Sequence, residues 1–314
     1  SVFMPASVLT FERECDVEIP DRTSCMRTED GNIWLQNFNS NAIKAFTKSG
    51  VMLELELPVK KPVVLYSAIG ASGNACFVRE NNKEESIFHR LFVDGGKIKI
   101  EENMKLKKGL HLHFFGKYYG VNHEHKIMDV CKLGEDYRKG NCNTLDITGV
   151  SFITSVYHRG KIVNIFDDIG EDENHSGERE LKRFTPDVIN YVSPDFEHAL
   201  MESCEESDFV YVAIFDMNTI EVLNPLDLSI RTINIERPPN CKRSNTDDEF
   251  FVMPDGKMSV IMADEDNKRH LYTATIPEEF WKNKELPLNL DQDIKARDYS
   301  EEVPTKRRRM EENV

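Results

Sequence analysis

The sequence has no long apolar run, and this absence limits where the chain can work. None of its hydrophobic stretches approaches the ~20 residues that a bilayer-spanning helix needs. Residues 1–20 also lack the basic start and the apolar centre of a signal peptide. With 30% charged and 39% hydrophobic residues, the composition indicates a soluble, intracellular protein. We therefore expect no membrane partner.

Patterns that identify enzymes are also missing. The seven cysteines include no CxxC pair, so they predict reduced and mostly buried thiols, not a zinc or redox site. The chain has no glycine-rich phosphate loop, no GxSxG segment and no paired-carboxylate motif. These absences predict no cofactor, no metal and no catalytic activity, which is to say that the protein is not an enzyme.

The net charge of −15 argues against a domain that coats DNA, because neutralising phosphates requires a basic surface. The basic residues do cluster at one place, in the polar segment 285–314 that we expect to be a flexible, disordered tail. The cluster consists of Lys306, Arg307, Arg308 and Arg309. It predicts a nuclear-localisation signal, with a merely solvated tail and a cytoplasmic protein as the alternative.

What the chain does have is an internal repeat. Six short apolar runs begin at steps of 42 to 48 residues, five of them opened by glycine and one by aspartate. The opening residues are Gly31, Gly73, Gly116, Gly160, Asp208 and Gly256. A polar residue follows each of them after eight positions. Recurrence at about 45 residues predicts one supersecondary unit that is stacked or arranged in a ring.

Each unit reads as four antiparallel strands, which we label a to d in chain order. In the first unit, residues 31–38 are nearly all apolar, as in a strand covered on both faces. Residues 51–57 alternate between apolar and acidic side chains, as in a strand with one wet face. Four such strands repeated around an axis predict an all-β six-bladed β-propeller. A sandwich or a jelly roll is the alternative, although neither explains the regular recurrence.

The two ends of the chain are complementary. The last unit lacks a fourth alternating strand, and residues 8–20 have the alternation and the terminal proline of such a strand. We expect the N-terminal strand to complete the last blade, which closes the ring and removes an exposed sheet edge. The propeller domain then spans residues 1–284. Its predicted blades are 22–60, 61–108, 109–149, 150–195, 196–238, and 239–277 completed by 8–20.

The first unit, GNIWLQNFNSNAIKAFTKSGVMLELELP at 31–58, resembles an NHL repeat. Residues 255–274 are similar to it more loosely, and the middle units share only the skeleton. The resemblance implies a six-bladed propeller that selects a substrate or partner within a larger complex. For some members of the family it also implies binding of single-stranded RNA by a basic face with aromatic side chains.

Candidate binding residues lie in loops, because loops on a rigid scaffold usually carry function. The loops between strands b and c and between strand d and the next strand a share one face, which we call the b–c face. Its candidate residues are Lys60, Lys61, Lys107, Lys108, Lys242, Arg243, Asn39, Asn82 and His123. They predict a non-enzymatic interaction scaffold for a protein or peptide partner in the nucleus or cytoplasm. Single-stranded RNA is the alternative partner.

A metal-dependent propeller hydrolase or lyase is the third hypothesis. It depends on four histidines within fifteen residues, namely His111, His113, His123 and His125. Alternate side chains on a strand point the same way, and imidazole nitrogens bind zinc. Because the two pairs fall on a strand and in a loop, we do not assign a metal site to them.

Overall fold

The computed structural model describes eleven segments of the chain. They are residues 7–20, 23–37, 40–58, 70–81, 85–107, 109–152, 154–166, 179–192, 199–214, 218–241 and 249–283. Within these segments the chain forms 25 β-strands, and its only helices are short 3₁₀ turns such as Tyr137–Lys139. No helix in this part of the chain is long and apolar enough to cross a membrane.

The strands form six sheets, five with four strands and one with five. The N-terminal strands are β1 (Val8–Thr10) and β2 (Glu12–Arg13). Blades 1 and 2 contain β3 (Thr23–Arg27), β4 (Ile33–Asn37), β5 (Ala42–Phe46), β6 (Met52–Glu56), β7 (Gly70–Ser72), β8 (Ala75–Asn81), β9 (Glu85–Asp94) and β10 (Lys97–Lys107). Blade 3 contains β11 (His111–Phe115), β12 (Tyr118–His123), β13 (Ile127–Lys132) and β14 (Asn143–Asp146).

The remaining three sheets continue the series around the ring. Blade 4 contains β15 (Thr154–His158), β16 (Lys161–Phe166), β17 (Glu180–Arg183) and β18 (Val188–Val192). Blade 5 contains β19 (Leu200–Ser203), β20 (Val210–Ile214), β21 (Thr219–Asn224) and β22 (Ser229–Glu236). Blade 6 contains β23 (Phe250–Val252), β24 (Lys257–Ala263) and β25 (Arg269–Thr275). The predicted all-β six-bladed propeller is confirmed.

The repeated glycines are explained by the turn between strands a and b. Gly31, Gly73, Gly116, Gly160 and Gly256 all have φ between +58° and +86°, which is the left-handed region. A residue with a Cβ is strained there, whereas glycine is not. In blade 5 this turn is longer and contains Asp208 in place of the glycine. The carboxylate of Asp208 forms an ion pair with Arg159 of blade 4 at 2.6 Å.

The N-terminal segment closes the ring as expected, and it also does more. β2 pairs antiparallel with β25, and an isolated bridge joins Ile19 to Arg269, so the segment supplies the outer strand of blade 6. Just before this, β1 pairs in parallel with β22 and adds a fifth strand to blade 5. The same short segment therefore joins two neighbouring blades and covers the outer edge of both.

Blade 4 departs from the simple order that the repeat predicts. Its sheet order is β15-β16-β18-β17, and β16 and β18 run parallel. The chain runs from β16 to the outermost strand β17 and returns to the third position through β18, so β17 lies within the connection between the two parallel neighbours. Both ends of the blade stay on the same faces as in the other blades.

The hydrophobic core lies between the blades. In the described part of the chain, buried apolar residues form six clusters, and each joins two neighbouring sheets. The cluster between blades 6 and 1, for example, packs Ile261 and Leu271 against Cys25, Ile33 and Leu35. Because the apolar contacts lie between neighbours around the ring, the axis is left for a channel lined by the innermost strands.

One expectation about cysteine is wrong. Cys131 on β13 and Cys142 form a disulfide, with their Cα atoms 4.6 Å apart, whereas the sequence predicts reduced thiols throughout. The short 3₁₀ turn at Tyr137–Lys139 brings the chain back beside β13 and so places the second cysteine next to the first. Cys25, Cys76 and Cys204 are free and buried, as expected.

Candidate functional site

A cavity of about 260 Å³ occupies the axis of the propeller, and all six inner strands contribute to its wall. It lies at the end of the channel where strands a turn into strands b, because turn residues such as Gly73, Gly116 and Pro254 also line it. We call this end of the propeller the a–b face. It is opposite to the b–c face, on which the sequence places its candidate loops.

The mouth of the cavity is crossed by an ion pair between blades that are not neighbours. Lys117, in the a–b turn of blade 3, lies 2.7 Å from the carboxylate of Glu29 in the a–b turn of blade 1. The pair passes over blade 2, whose turn ends at Gly73, and the Glu29 N–H donates to the Gly73 carbonyl. Burial opposes the charged form of Lys117, but the hydrogen bond to Glu29 raises its pKa above the ordinary value.

Glu202 is the least exposed acidic residue of the cavity lining. It lies on β19 among the residues that line the cavity, and its side chain is only partly accessible. Burial raises the pKa of Glu202 to about 8, although Lys117 and a hydrogen bond from the Ser203 N–H both favour the charged form. No ion pair reaches this carboxyl group from the described residues. A perturbed acid in a cleft is a common mark of a functional site.

The other charged group of the lining, Arg27, is already bound. Its guanidinium forms an ion pair with Glu14 and donates to Ser259 Oγ at 3.1 Å. Tyr157 of blade 4 accepts a hydrogen bond from Asn143, and burial raises the pKa of its hydroxyl. The rest of the wall is largely apolar and includes Met201 and Phe115. The cavity thus combines an apolar wall with few polar groups, as ligand sites do.

A second cavity of about 340 Å³ lies beside the first, between blades 6 and 1 on the same a–b face. The two share four lining residues, which are Arg27, Glu29, Met253 and Pro254. The axial cavity therefore lies directly beside a second cleft on the same face. Acidic side chains line this cleft at Glu14, Glu29, Asp30 and Asp255, against the basic Arg27, Lys48 and Lys257.

Only two of the candidate residues on the b–c face lie in the described part of the chain. Lys107 ends β10 and is exposed, and His123 ends β12, where its ring lies 2.9 Å from Asp129. The other seven candidates fall outside the described residues, namely Asn39, Lys60, Lys61, Asn82, Lys108, Lys242 and Arg243. So do the basic residues of the predicted localisation signal, Lys306, Arg307, Arg308 and Arg309. Their roles stay predictions.

The four histidines do not converge on one point. The rings of His111 and His125 lie 5.3 Å apart, while His113 packs against Phe152 and His123 pairs with Asp129. Burial, followed by the two neighbouring histidines, lowers the pKa of His113. Over the segments that the structure describes, no group of three His, Cys, Asp or Glu residues is placed to hold a metal.

Reasoning from the sequence missed Glu202, Lys117 and Glu29. Each lies in or beside an inner strand or its following turn, and no motif distinguishes it from other charged residues. The available signal was positional, since a charged residue on strand a of a propeller lies near the axis. Glu202 is such a residue, in a short strand with the apolar Leu200 and Met201.

Comparison with known proteins identifies no family. No family model matches the chain, no curated protein matches it, and the NHL resemblance stays a prediction. A solved structure of virginiamycin B lyase from Staphylococcus aureus with quinupristin aligns at 15% identity and a TM-score of 0.42, covering 81% of this chain and 80% of that one. Glutaminyl cyclase from Myxococcus xanthus aligns at 6% identity and 0.38, covering 87% and 100%. A chain of the mitotic checkpoint complex aligns at 10% identity and 0.43, covering 84% and 93%.

The expectation that the protein is not an enzyme is wrong. It was drawn from missing motifs, and the similar structures include a lyase and a cyclase as well as a chain of a protein complex. Propeller enzymes place their chemistry on residues from separate blades, so a short motif is not required. The same fold serves catalysis and binding alike, and function has to be argued from the site. The chain is a six-bladed β-propeller with an acidic cavity at its axis.

Proposed function

We propose that the protein binds a protein or peptide partner on the a–b face of the propeller, with a segment of the partner lying along the cleft and reaching the channel. The observation that carries this proposal is that the two cavities lie side by side and share Arg27, Glu29, Met253 and Pro254 in their walls. A surface cleft beside an axial cavity fits an extended chain with one anchoring side chain. Anchors that fill a pocket supply most of the affinity in such interfaces.

Charge favours a basic segment as the partner. The channel and cleft together carry acidic side chains at Glu14, Glu29, Asp30, Glu202, Glu205 and Asp255. The basic groups are fewer: Lys117 is paired with Glu29, Arg27 is paired with Glu14, and Lys48 and Lys257 line the cleft. The protein as a whole carries −15, which adds a long-range attraction for positive partners.

No described observation favours single-stranded RNA over a protein. Lys105 and Lys107, near the end of β10, are the lysines of blade 2 that the structure describes toward the b–c face. Lys105 lies 3.3 Å from Glu102 and 4.0 Å from Glu85, so two carboxylates already neutralise it. Phosphates need a basic surface with free cations, and the lined face of the channel is acidic.

Charge reversal on the two faces tests the proposal. Glu205 and Asp255 are exposed at the channel mouth and in the cleft, and Glu205→Lys with Asp255→Lys should abolish capture of the partner from source extract. Glu56→Lys with Glu124→Lys makes the same charge change on the b–c face and should leave capture intact. Capture that survives the first pair and is lost with the second would move the site to the b–c face.

A further inference from the structure

The unpaired group in the axial cavity is an acid. Three charged residues of the lining have an ion-pair partner, namely Arg27, Lys117 and Glu29. Glu202 accepts a hydrogen bond from the Ser203 N–H and forms no described ion pair, although the charge of Lys117 favours its carboxylate. Glu205 stands at the entrance with its carboxylate exposed and makes no described ion pair. An incoming ligand therefore meets two acidic groups that have no ion-pair partner among the described residues.

The cavity also has the dimensions and the walls for one long side chain. At about 260 Å³ it lies just below the usual ~300–1,000 Å³ range of pockets that hold whole ligands. Its wall contains the apolar residues Met26, Phe115, Val156 and Met201. Apolar walls suit the methylene stem of lysine or arginine, which buries its stem and needs a polar partner for its charged end.

We infer that the axial cavity receives a lysine or arginine side chain of the partner, whose charged end binds the carboxylate of Glu202. This inference rests on the proposed function, because the side chain belongs to the segment in the cleft. An anion would find both cations of the lining engaged, since Lys117 and Arg27 are bound to Glu29 and Glu14. A neutral side chain would form no charge-assisted hydrogen bond with Glu202, whereas a cation would.

The titration of Glu202 agrees with this assignment. With its pKa raised to about 8, the group is mostly protonated at neutral pH in the empty channel. A cation at hydrogen-bond distance favours the carboxylate and supplies the partner that burial otherwise denies it. The charged pair thus forms only when the ligand enters.

Methionine methyl resonances provide a direct reading of the cavity. Met26, Met201 and Met253 line it, whereas Met128, Met258 and Met262 are fully buried elsewhere and serve as internal references. The full chain, labelled at its methionine methyls, is titrated with the blocked tripeptides Gly-Lys-Gly and Gly-Arg-Gly. The controls are the same tripeptide with norleucine or glutamate at the centre. We expect saturable shifts of the channel methyls with at least one cationic peptide and at least tenfold weaker binding of both controls.

The matched variant is Glu202→Gln, which removes the charge and keeps the shape. It should weaken the cationic peptide at least tenfold, while Glu124→Gln on the b–c face should leave its affinity unchanged. Equal binding of the norleucine and lysine peptides, or undiminished binding to Glu202→Gln, would overturn the inference. The peptide comparison on the wild-type protein needs no variant, so the inference stays testable if Glu202→Gln does not fold.

Failure of the inference about Glu202 can be told apart from failure of the proposed function. A partner lost with Glu205→Lys and Asp255→Lys but retained by Glu202→Gln would keep the a–b face and remove the anchoring side chain. Peptide shifts at the channel methyls, together with a partner that maps to the b–c face, would keep a cation site and remove its link to the partner.

Discussion

Lys117 and Glu29 bind each other at 2.7 Å across the mouth of the channel, although they belong to blades 3 and 1. Neighbouring blades in the ring are held together by apolar clusters, so a polar contact that skips a blade is a different kind of restraint. It fixes the spacing of two a–b turns on either side of blade 2. The same pair also removes one cation and one anion from the charge that a ligand meets.

A double-mutant cycle measures this restraint. We expect a coupling free energy of about 0.5–1 kcal/mol between Lys117→Met and Glu29→Gln, since both side chains are only partly exposed. Urea unfolding of the wild type, both single variants and the double variant supplies the four free energies. The exposed pair Lys44–Glu54 of blade 1, at 3.6 Å, serves as the control and should couple more weakly. A coupling near zero for Lys117 and Glu29 would mean that the pair does not form in solution.

Docking of the N-terminal strand can be tested with two adjacent residues. Leu9 is 2% exposed and packs in the cluster between blades 5 and 6, whereas Val8 is 50% exposed. Leu9→Ala should lower the free energy of unfolding by about 2–5 kcal/mol, because it leaves a cavity in a packed core. Val8→Ala should change it by no more than about 0.5 kcal/mol. Similar small effects at both positions would show that β1 does not pair with blade 5.

Glu202 makes stability fall as pH rises. The unfolded chain releases this proton near pH 4.5, while the folded protein holds it up to about pH 8. The contribution of this group is therefore fully present below pH 4.5 and is lost as pH rises through 8. In Glu202→Gln, the free energy of unfolding should decline less steeply over this window. The difference in slope against pH should correspond to up to about one bound proton. Parallel profiles for the two proteins, measured by denaturant unfolding from pH 5 to 8.5, would contradict the buried acid.

His158 acts in the opposite direction. It is 3% exposed, and burial, followed by the charge of Arg159, lowers its pKa from 6.5 to about 4. The unfolded chain binds the proton below pH 6.5 and the folded protein does so only near pH 4, so stability is lost as pH falls between these values. His158→Gln should lose less stability than the wild type between pH 7 and pH 4.5. Equal losses of stability in the wild type and in His158→Gln over this range, measured by urea unfolding, would contradict the buried neutral imidazole.

Much of the architecture was predictable because it repeats. A glycine at the a–b turn, a buried strand b and an alternating outer strand recur with the same spacing, and each follows from local backbone and burial requirements. Gly31 and Gly256 have the positive φ that the pattern implies. The N-terminal closure was predictable as well, since the last repeat lacks a strand that residues 8–20 resemble. Blade 4 was not, because its order depends on where a long connection leads.

The candidate site was not predictable in the same way. Glu29, Lys117 and Glu202 lie in three different repeats, and nothing local to any of them marks it as special. The repeat pattern drew attention to the loops of the b–c face, while the cavity opens on the a–b face. The missing motifs also led to the wrong exclusion of enzymatic activity.

Local chemistry determines the strands, their turns and the number of blades, since these depend on residues within one repeat of about 45. Ring closure then decides which side chains meet at the axis, because six inner strands from distant parts of the chain converge there. That convergence buries Glu202 without an ion-pair partner among the described residues, while Lys117 binds Glu29. Only the tertiary structure places this acid in the axial cavity, and the electrostatics of the site follow from that burial.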